Sequence, residues 1–143
     1  MSNFLGNSSE QIKYCNLLKI SAKETYKTYK SIYCRVLNER ITFNSVGFRH
    51  LVYKTNGRQR KIKEIIYKLN LLPLAIPVIK NTTRIDSKRE ILISYSRKKN
   101  KKLKKGRMFS LSAVVGKKKP VKIRVIILRI GDGKYIFYSI MKD

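Results

Sequence analysis

The stretch Val121-Lys-Ile-Arg-Val-Ile-Ile-Leu-Arg-Ile-Gly-Asp-Gly-Lys-Tyr-Ile-Phe-Tyr-Ser-Ile-Met141 decides the fold. Apolar side chains fall at every second position from Val121 to Ile127 and again from Ile136 to Ile140. That is the period of a strand with one buried face. Gly131-Asp-Gly-Lys134 predicts a two-residue hairpin loop at Asp132-Gly133, because glycine tolerates positive φ. In this register Ile126 faces Ser139, Leu128 faces Phe137 and Arg124 faces Met141. One face then carries Val121, Ile123, Val125, Ile127, Ile136, Tyr138 and Ile140, a core. The other carries Lys122, Arg124, Ile126, Leu128, Phe137, Ser139 and Met141. This second face is mixed, and Arg124 lies diagonal to Ser139, within reach of a long side chain. A one-residue slip would exchange the two faces.

Working back, Met108–Val115 alternates in the same way, with Phe109, Leu111, Ala113 and Val115 on one side. Glu90–Ser96 predicts another strand, with Ile91, Ile93 and Tyr95 aligned. Between them Arg97–Arg107 holds eight basic residues in eleven. It is expected to be a mobile loop that grips phosphates without reading bases, or simply a soluble Lys-rich connection. Ala75–Ile79 suggests a strand weakened by Pro77.

Further upstream the period becomes helical. Ile62, Ile65, Ile66 and Leu69 form a core stripe on a helix from about Arg58 to Asn70. Thr55-Asn-Gly57 separates it from a helix that Asn44 or Ser45 caps and that runs to about Lys54. Ile41-Thr-Phe43 is short and β-prone. Ser21-Ala-Lys-Glu24 fits a capping box, followed by Tyr26, Tyr29, Ile32, Tyr33 and Val36 at helical spacing. That tyrosine stripe serves as a packing face or as a base-stacking platform. Ser9–Leu18 suits a short helix. Helices followed by antiparallel strands imply an α+β fold, in which a helical segment, 1–40, precedes a core, 41–143, within one compact domain.

Composition narrows the function. The 143 residues include 34 Lys plus Arg, 8 Asp plus Glu and one His, a formal charge of +26. Hydrophobic residues make up 43%, too many for a disordered basic tail. A folded domain with such a field suits a polyanion: nucleic acid, anionic lipid or an acidic protein. No two of the eight acids sit at metal-ligand spacing, which argues against two-metal nucleases and polymerases. One His and two distant cysteines, Cys15 and Cys34, do not make a zinc site. The two cysteines could pair, or remain reduced thiols as in a cytosolic chain. The N-terminal residues lack the pattern of a secretory signal. The longest apolar run, Leu71–Ile79, is too short to span a membrane.

His50 is the lone histidine. At about 100° per residue, Phe48, Leu51 and Val52 cluster on one side of its helix and His50 falls opposite, near Arg49 and Tyr53. It is either a solvated surface side chain or a proton-transfer group. Surrounding positive charge should depress its pKa. Arg49, Lys54, Arg58, Arg60 and Lys61 lie around it, as a solvated basic face or as a phosphate-binding cluster. Ser139 lacks the sequence context of a serine hydrolase. It is an exposed strand residue or a ligand for a phosphate oxygen. Without a metal site, cleaving a phosphodiester requires an internal nucleophile. RNA supplies one in its 2′-hydroxyl, whereas DNA does not. If the chain is a nuclease, it should cut RNA and leave a 2′,3′-cyclic phosphate.

The segment Ile41-Thr-Phe-Asn-Ser-Val-Gly-Phe-Arg-His-Leu51, the helix with Arg60 ending in Leu71-Leu-Pro-Leu-Ala-Ile76, and Ile136-Phe-Tyr-Ser139 resemble the barnase–EndoU–colicin–RelE superfamily. The likeness is to its ribonuclease-like branch in phages and mobile elements, and spans about Ile41 to Met141. It implies helices packed on a four- to five-stranded antiparallel sheet. It also implies a metal-independent ribonuclease toxin, acting in the cytoplasm without a cofactor, often on tRNA, and neutralised by an acidic immunity protein or antitoxin. On that likeness His50 is the proton-transfer group, Arg124 and Arg60 stabilise the phosphate, and Ser139 and Tyr138 assist. The Arg97–Arg107 insertion departs from the family pattern. RNA contacts are expected from Arg49, Lys54, Arg58 and Lys61, and from Arg97, Lys98, Lys99, Lys101, Lys102, Lys104, Lys105 and Arg107. A catalytic Tyr138 conflicts with the register above, which buries it. Two other functions use the same charge: non-catalytic RNA or DNA binding, and docking of an acidic protein.

Overall fold

The computed structural model describes residues 9–54, 56–97 and 100–143, with side chains described outside 94–103. The elements are α1 (Ser9–Thr28), β1 (Ser31–Cys34), β2 (Glu39–Thr42), α2 (Ser45–Val52), α3 (Ile62–Leu71), a 3-10 turn (Leu72–Leu74), α4 (Ala75–Asn81), β3 (Ile85–Arg97), β4 (Asn100–Val115), β5 (Val121–Ile130) and β6 (Tyr135–Lys142). The strands form one sheet in the order β1-β2-β6-β5-β4-β3. The fold is α+β as expected. The sheet is larger and mixed: it has six strands, and β2 pairs in parallel with β6 while the other pairs are antiparallel.

The core lies on one face of the sheet. Leu111, Ile123, Val125, Ile127, Phe137 and Ile140 meet Ile65, Ala75, Val78 and Ile79 there, all fully buried. Phe137 stacks on Phe43, and Tyr26 packs edge-on against Phe43 and Phe48. Such aromatic arrangements add to what area burial alone contributes. Tyr26 is thus a packing residue, while Tyr29 and Tyr33 are exposed. Cys15 and Cys34 are separate, buried free thiols.

Five local expectations are corrected. The helix from Ser21 to Val36 does not form. Instead α1 runs through Ser21, whose carbonyl accepts a hydrogen bond from Thr25, and ends at Thr28. Ile32 and Tyr33 belong to β1, where Ile32 and Cys34 point inward. Pairing with β2 overrides the helical spacing, and β-branched and aromatic residues suit a strand. The segment 1–40 is therefore not all helical; it supplies an edge of the same sheet.

Ala75–Ile79 is the start of α4, not a strand. Pro77 sits in the first turn of α4, where a missing N–H leaves no helical bond unmade. Ala75, Ile76, Val78 and Ile79 are all buried against the sheet. The helices around His50 also shift at their ends: α2 stops at Val52 and α3 begins at Ile62.

The basic run is not a loop. β3 and β4 pair from Glu90↔Arg107 out to Arg97↔Asn100, so the run forms most of one strand of a long hairpin. β5 reaches only to Gly106. The outer part is therefore a two-stranded ribbon beyond the main sheet. Neither ribbon face needs an apolar pattern when both meet solvent, so Lys-rich sequence is compatible with a strand there. Lys98 and Lys99 lie outside the described residues.

The β5–β6 hairpin keeps Ile126↔Ser139 and Arg124↔Met141, but Leu128 pairs with Ile136 and Ile127 with Phe137. The register shifts by one at Tyr138, and the loop spans 130–134 rather than two residues. Gly131 takes a positive φ in it, and Gly133 N–H bonds to Ile130. The bulge turns Phe137 into the core and leaves Tyr138 half-buried beside Ser139 on the other side. That removes the conflict over Tyr138, because the extra residue decouples the two halves of β6.

Candidate active site

The parallel pairing of β2 with β6 covers only Ile41↔Tyr135 and Thr42↔Ile136. Beyond it, helices close the edge of β6. A Cβ on Gly47 of α2 would lie 1.9 Å from the Phe137 carbonyl oxygen, so only glycine permits this approach. Lys68 of α3 donates to the Ile140 carbonyl at 3.1 Å, and Tyr67 accepts from Lys142 N–H at 2.7 Å. The open strand edge is thereby covered. The same packing carries side chains of α2 and α3 around to the sheet face opposite the core.

Asn44 caps α2 as the sequence indicates, accepting from Val46 and Gly47 N–H. After α2 the chain turns back: Lys54 N–H bonds to Arg58, Tyr53 bridges Gln59, and Arg60 N–H bonds to Val52. Arg60 therefore returns alongside the end of α2. Its Nε donates to the His50 carbonyl at 3.0 Å, its Nη1 reaches Glu64 at 3.4 Å, and its Nη2 lies 3.3 Å from His50 Nε2. A guanidinium only donates, so this contact is a hydrogen bond when Nε2 is unprotonated, as in a neutral imidazole with its proton on Nδ1. The His50 ring stacks on Tyr138 at 3.8 Å between centroids and 15° between planes. Burial, then the charges of Arg60 and Lys68, lower the His50 pKa from 6.5 to about 4.

These groups open on a cavity of about 550 Å³. His50, Arg60, Arg124, Tyr138 and Ser139, the five side chains to which the sequence assigns chemistry, all line it. His50 is half-buried there rather than solvated. Ser139 is 4% exposed, so it is not an exposed strand residue. Arg124 is bound to Asp143, with Nη2 at 2.7 Å and Nε at 2.9 Å from one carboxylate oxygen.

Lys68 is the residue the sequence analysis did not single out. It is buried, 9% exposed, and its ammonium donates to Ser139 Oγ at 2.9 Å. Burial and the charge of Arg60, opposed by Glu64, lower its pKa from 10.5 to about 8. A signal was present: Lys68 follows Ile65 by three and precedes Leu69, so it lies on the apolar face of α3.

The other predicted contacts lie elsewhere. Arg49 is exposed over the Tyr53 ring and lines a separate groove with Lys19 and Lys23. Lys54, Arg58 and Lys61 are exposed on the turn and do not line the cavity. Lys104 and Lys105 are exposed on the ribbon, and Lys105 and Arg107 border a shallow hollow at its base. Arg97, Lys101 and Lys102 are placed on the ribbon by their backbone register. Among the described residues no three His, Cys, Asp or Glu side chains form a group that could hold a metal ion.

No family model matches the chain, and neither a curated protein nor a solved structure matches it.

Proposed function

We propose that this cavity is the active site of a metal-independent endoribonuclease. The observation that supports it best is the neutral imidazole of His50, oriented by Tyr138 and Arg60, facing the same cavity as the buried Lys68–Ser139 pair. A base and an acid of opposite protonation state, with guanidiniums lining the same cavity, suit in-line attack within RNA. His50 Nε2 accepts the proton of a 2′-hydroxyl. The O2′–P bond forms and the P–O5′ bond breaks. The leaving O5′ takes the Ser139 hydroxyl proton, and Lys68 supplies a proton to Ser139. The products are a 2′,3′-cyclic phosphate and a 5′-hydroxyl. Arg60 moves Nη2 from His50 to a phosphate oxygen while Nε keeps its anchor. That releases the Nε2 lone pair as substrate arrives. Arg124 exchanges Asp143 for a flanking phosphate.

The +26 charge supports RNA as the polyanion. The resemblance extends the proposal to a toxin acting in the cytoplasm, with tRNA among its substrates and an acidic immunity protein or antitoxin as its inhibitor. Among the described residues no helix is long and apolar enough to cross a membrane. The ribbon favours a second proposal, nucleic-acid binding without chemistry, since basic strands need no catalytic site to hold a backbone.

Incubating purified protein with total RNA in EDTA separates the two. Catalysis gives discrete fragments ending in cyclic phosphate, and His50→Ala lowers their rate ~10²–10⁴-fold. Intact RNA with the wild-type protein, at concentrations where RNA is bound, refutes catalysis and leaves the binding function.

A further inference from the structure

A row of side chains crosses four strands on the cavity side of the sheet. Ser87 is registered with Ser110, Ser110 with Ile126, and Ile126 with Ser139. All four line the cavity. Adjacent strands lie about 4.8 Å apart, so Ser110 and Ser139 stand roughly 10 Å from each other across Ile126.

The two inner hydroxyls are equally buried, at 4% exposure each, but differ in their partners. Ser139 Oγ accepts from Lys68. Among the described residues Ser110 Oγ has no hydrogen-bond partner. A buried, unsatisfied hydroxyl is a standing destabilisation, and alanine would avoid it. Its surroundings fit a flat, partly polar ligand. Ile126 and Met108 make an adaptable apolar floor. Arg89 lines the same end and, among the described residues, donates only to a weak acceptor, the Met108 sulfur, at 3.6 Å.

We infer that this end of the cavity is a nucleobase subsite: a base lies on Ile126 and Met108, the Ser110 hydroxyl bonds its polar edge, and Arg89 takes the neighbouring phosphate. The identity of the ligand as RNA rests on the proposed ribonuclease function. Seating the base displaces the Arg89–Met108 contact, which two long flexible side chains allow. The reacting phosphate then sits at His50, Lys68 and Ser139, roughly two strand spacings away. A base inside a duplex has its pairing edge occupied and its faces stacked. The substrate class is therefore RNA with an unpaired, unstacked base, as in a loop or single strand.

The test is calorimetric binding of four 2′-O-methyl homotrinucleotides (U, C, A and G) to the wild-type protein and to Ser110→Ala, with thermal melting of both proteins. The 2′-O-methyl group blocks the nucleophile, so binding is read without cleavage. The wild type should prefer one base by ~10-fold or more, and Ser110→Ala should shrink that preference to within ~2-fold. Ser110→Ala should melt no lower than the wild type. The subsite is refuted if no trinucleotide binds, if the wild type does not discriminate, if Ser110→Ala keeps the preference, or if it melts lower, which would reveal a structural partner for the hydroxyl. A protein that discriminates among these trinucleotides but leaves natural RNA intact loses the ribonuclease function and keeps the subsite. One that cuts RNA without base preference loses only the subsite.

Discussion

The two ends of the sheet carry positive charge in opposite ways. On the β3–β4 ribbon, cations follow one another along a strand and, at Lys104 and Lys105, stand in water. At the β6 end there are fewer, but Arg60 is 13% and Lys68 9% exposed. Charge in water contributes screened attraction. At the strand edge, burial of His50 and then the withdrawn charges of Arg60 and Lys68 disfavour its protonated form and hold it neutral. On the proposed function, partial burial of a few cations is therefore a better guide to the site than the densest basic run in the sequence.

The sharpest way to break this contrast is to remove the buried charge alone. Lys68→Met takes the donor from Ser139 and should lower the single-turnover cleavage rate ~10²–10³-fold, with little change in RNA affinity. If affinity falls and the single-turnover rate does not, Lys68 belongs with the ribbon as a mere grip.

Acidity gives a second, smaller separation. His50 must be neutral to act as base, so kcat/KM should fall as pH drops through about 4. Lys68 must be protonated, so it should also fall as pH rises through about 8. Stability follows the same groups. The lowered His50 pKa means folding disfavours its protonated form. Stability should decline as pH falls from 6.5 to about 4, and His50→Gln should flatten that part of the Tm profile. A profile unchanged by the substitution would show that His50 is solvated like the ribbon lysines.

The smallest effect on rate belongs to the ribbon. Replacing Lys104, Lys105 and Arg107 by Gln should leave the single-turnover rate at saturation unchanged. It should reduce the slope of log affinity against log salt by about 2, near 0.7 per phosphate contact on a single strand. A large fall in that rate would move chemistry to the ribbon.

Much of the site was legible in the sequence. His50 stood opposite the apolar side of its helix, and strand period placed Arg124, Ile126, Ser139 and Met141 on one face, where they line the cavity. The fate of Tyr138 was not legible. Alternation assumes an unbroken ladder, and one extra residue reverses the faces beyond it. Lys68 was passed over because a lysine on a helix normally reaches water. Its place on the apolar face of α3 was a signal, but its burial depends on the unpaired edge of β6, which that local pattern does not show. The same holds for Ile32 and Tyr33. Their spacing fits a helix, and only a partner strand decides otherwise.

By itself the sequence determined the α+β class, the hairpin that anchors the sheet, and the residue types able to move protons and hold phosphates. These follow from period, turn residues and side-chain chemistry, which are local properties. Tertiary structure alone decided that α2 and α3 close the edge of β6, that Lys68 serves Ser139, and that the hydroxyl of Ser110 is left without a partner among the described residues. Those outcomes depend on contacts between residues far apart in the chain, where burial turns an ordinary side chain into a titrating or ligand-seeking one.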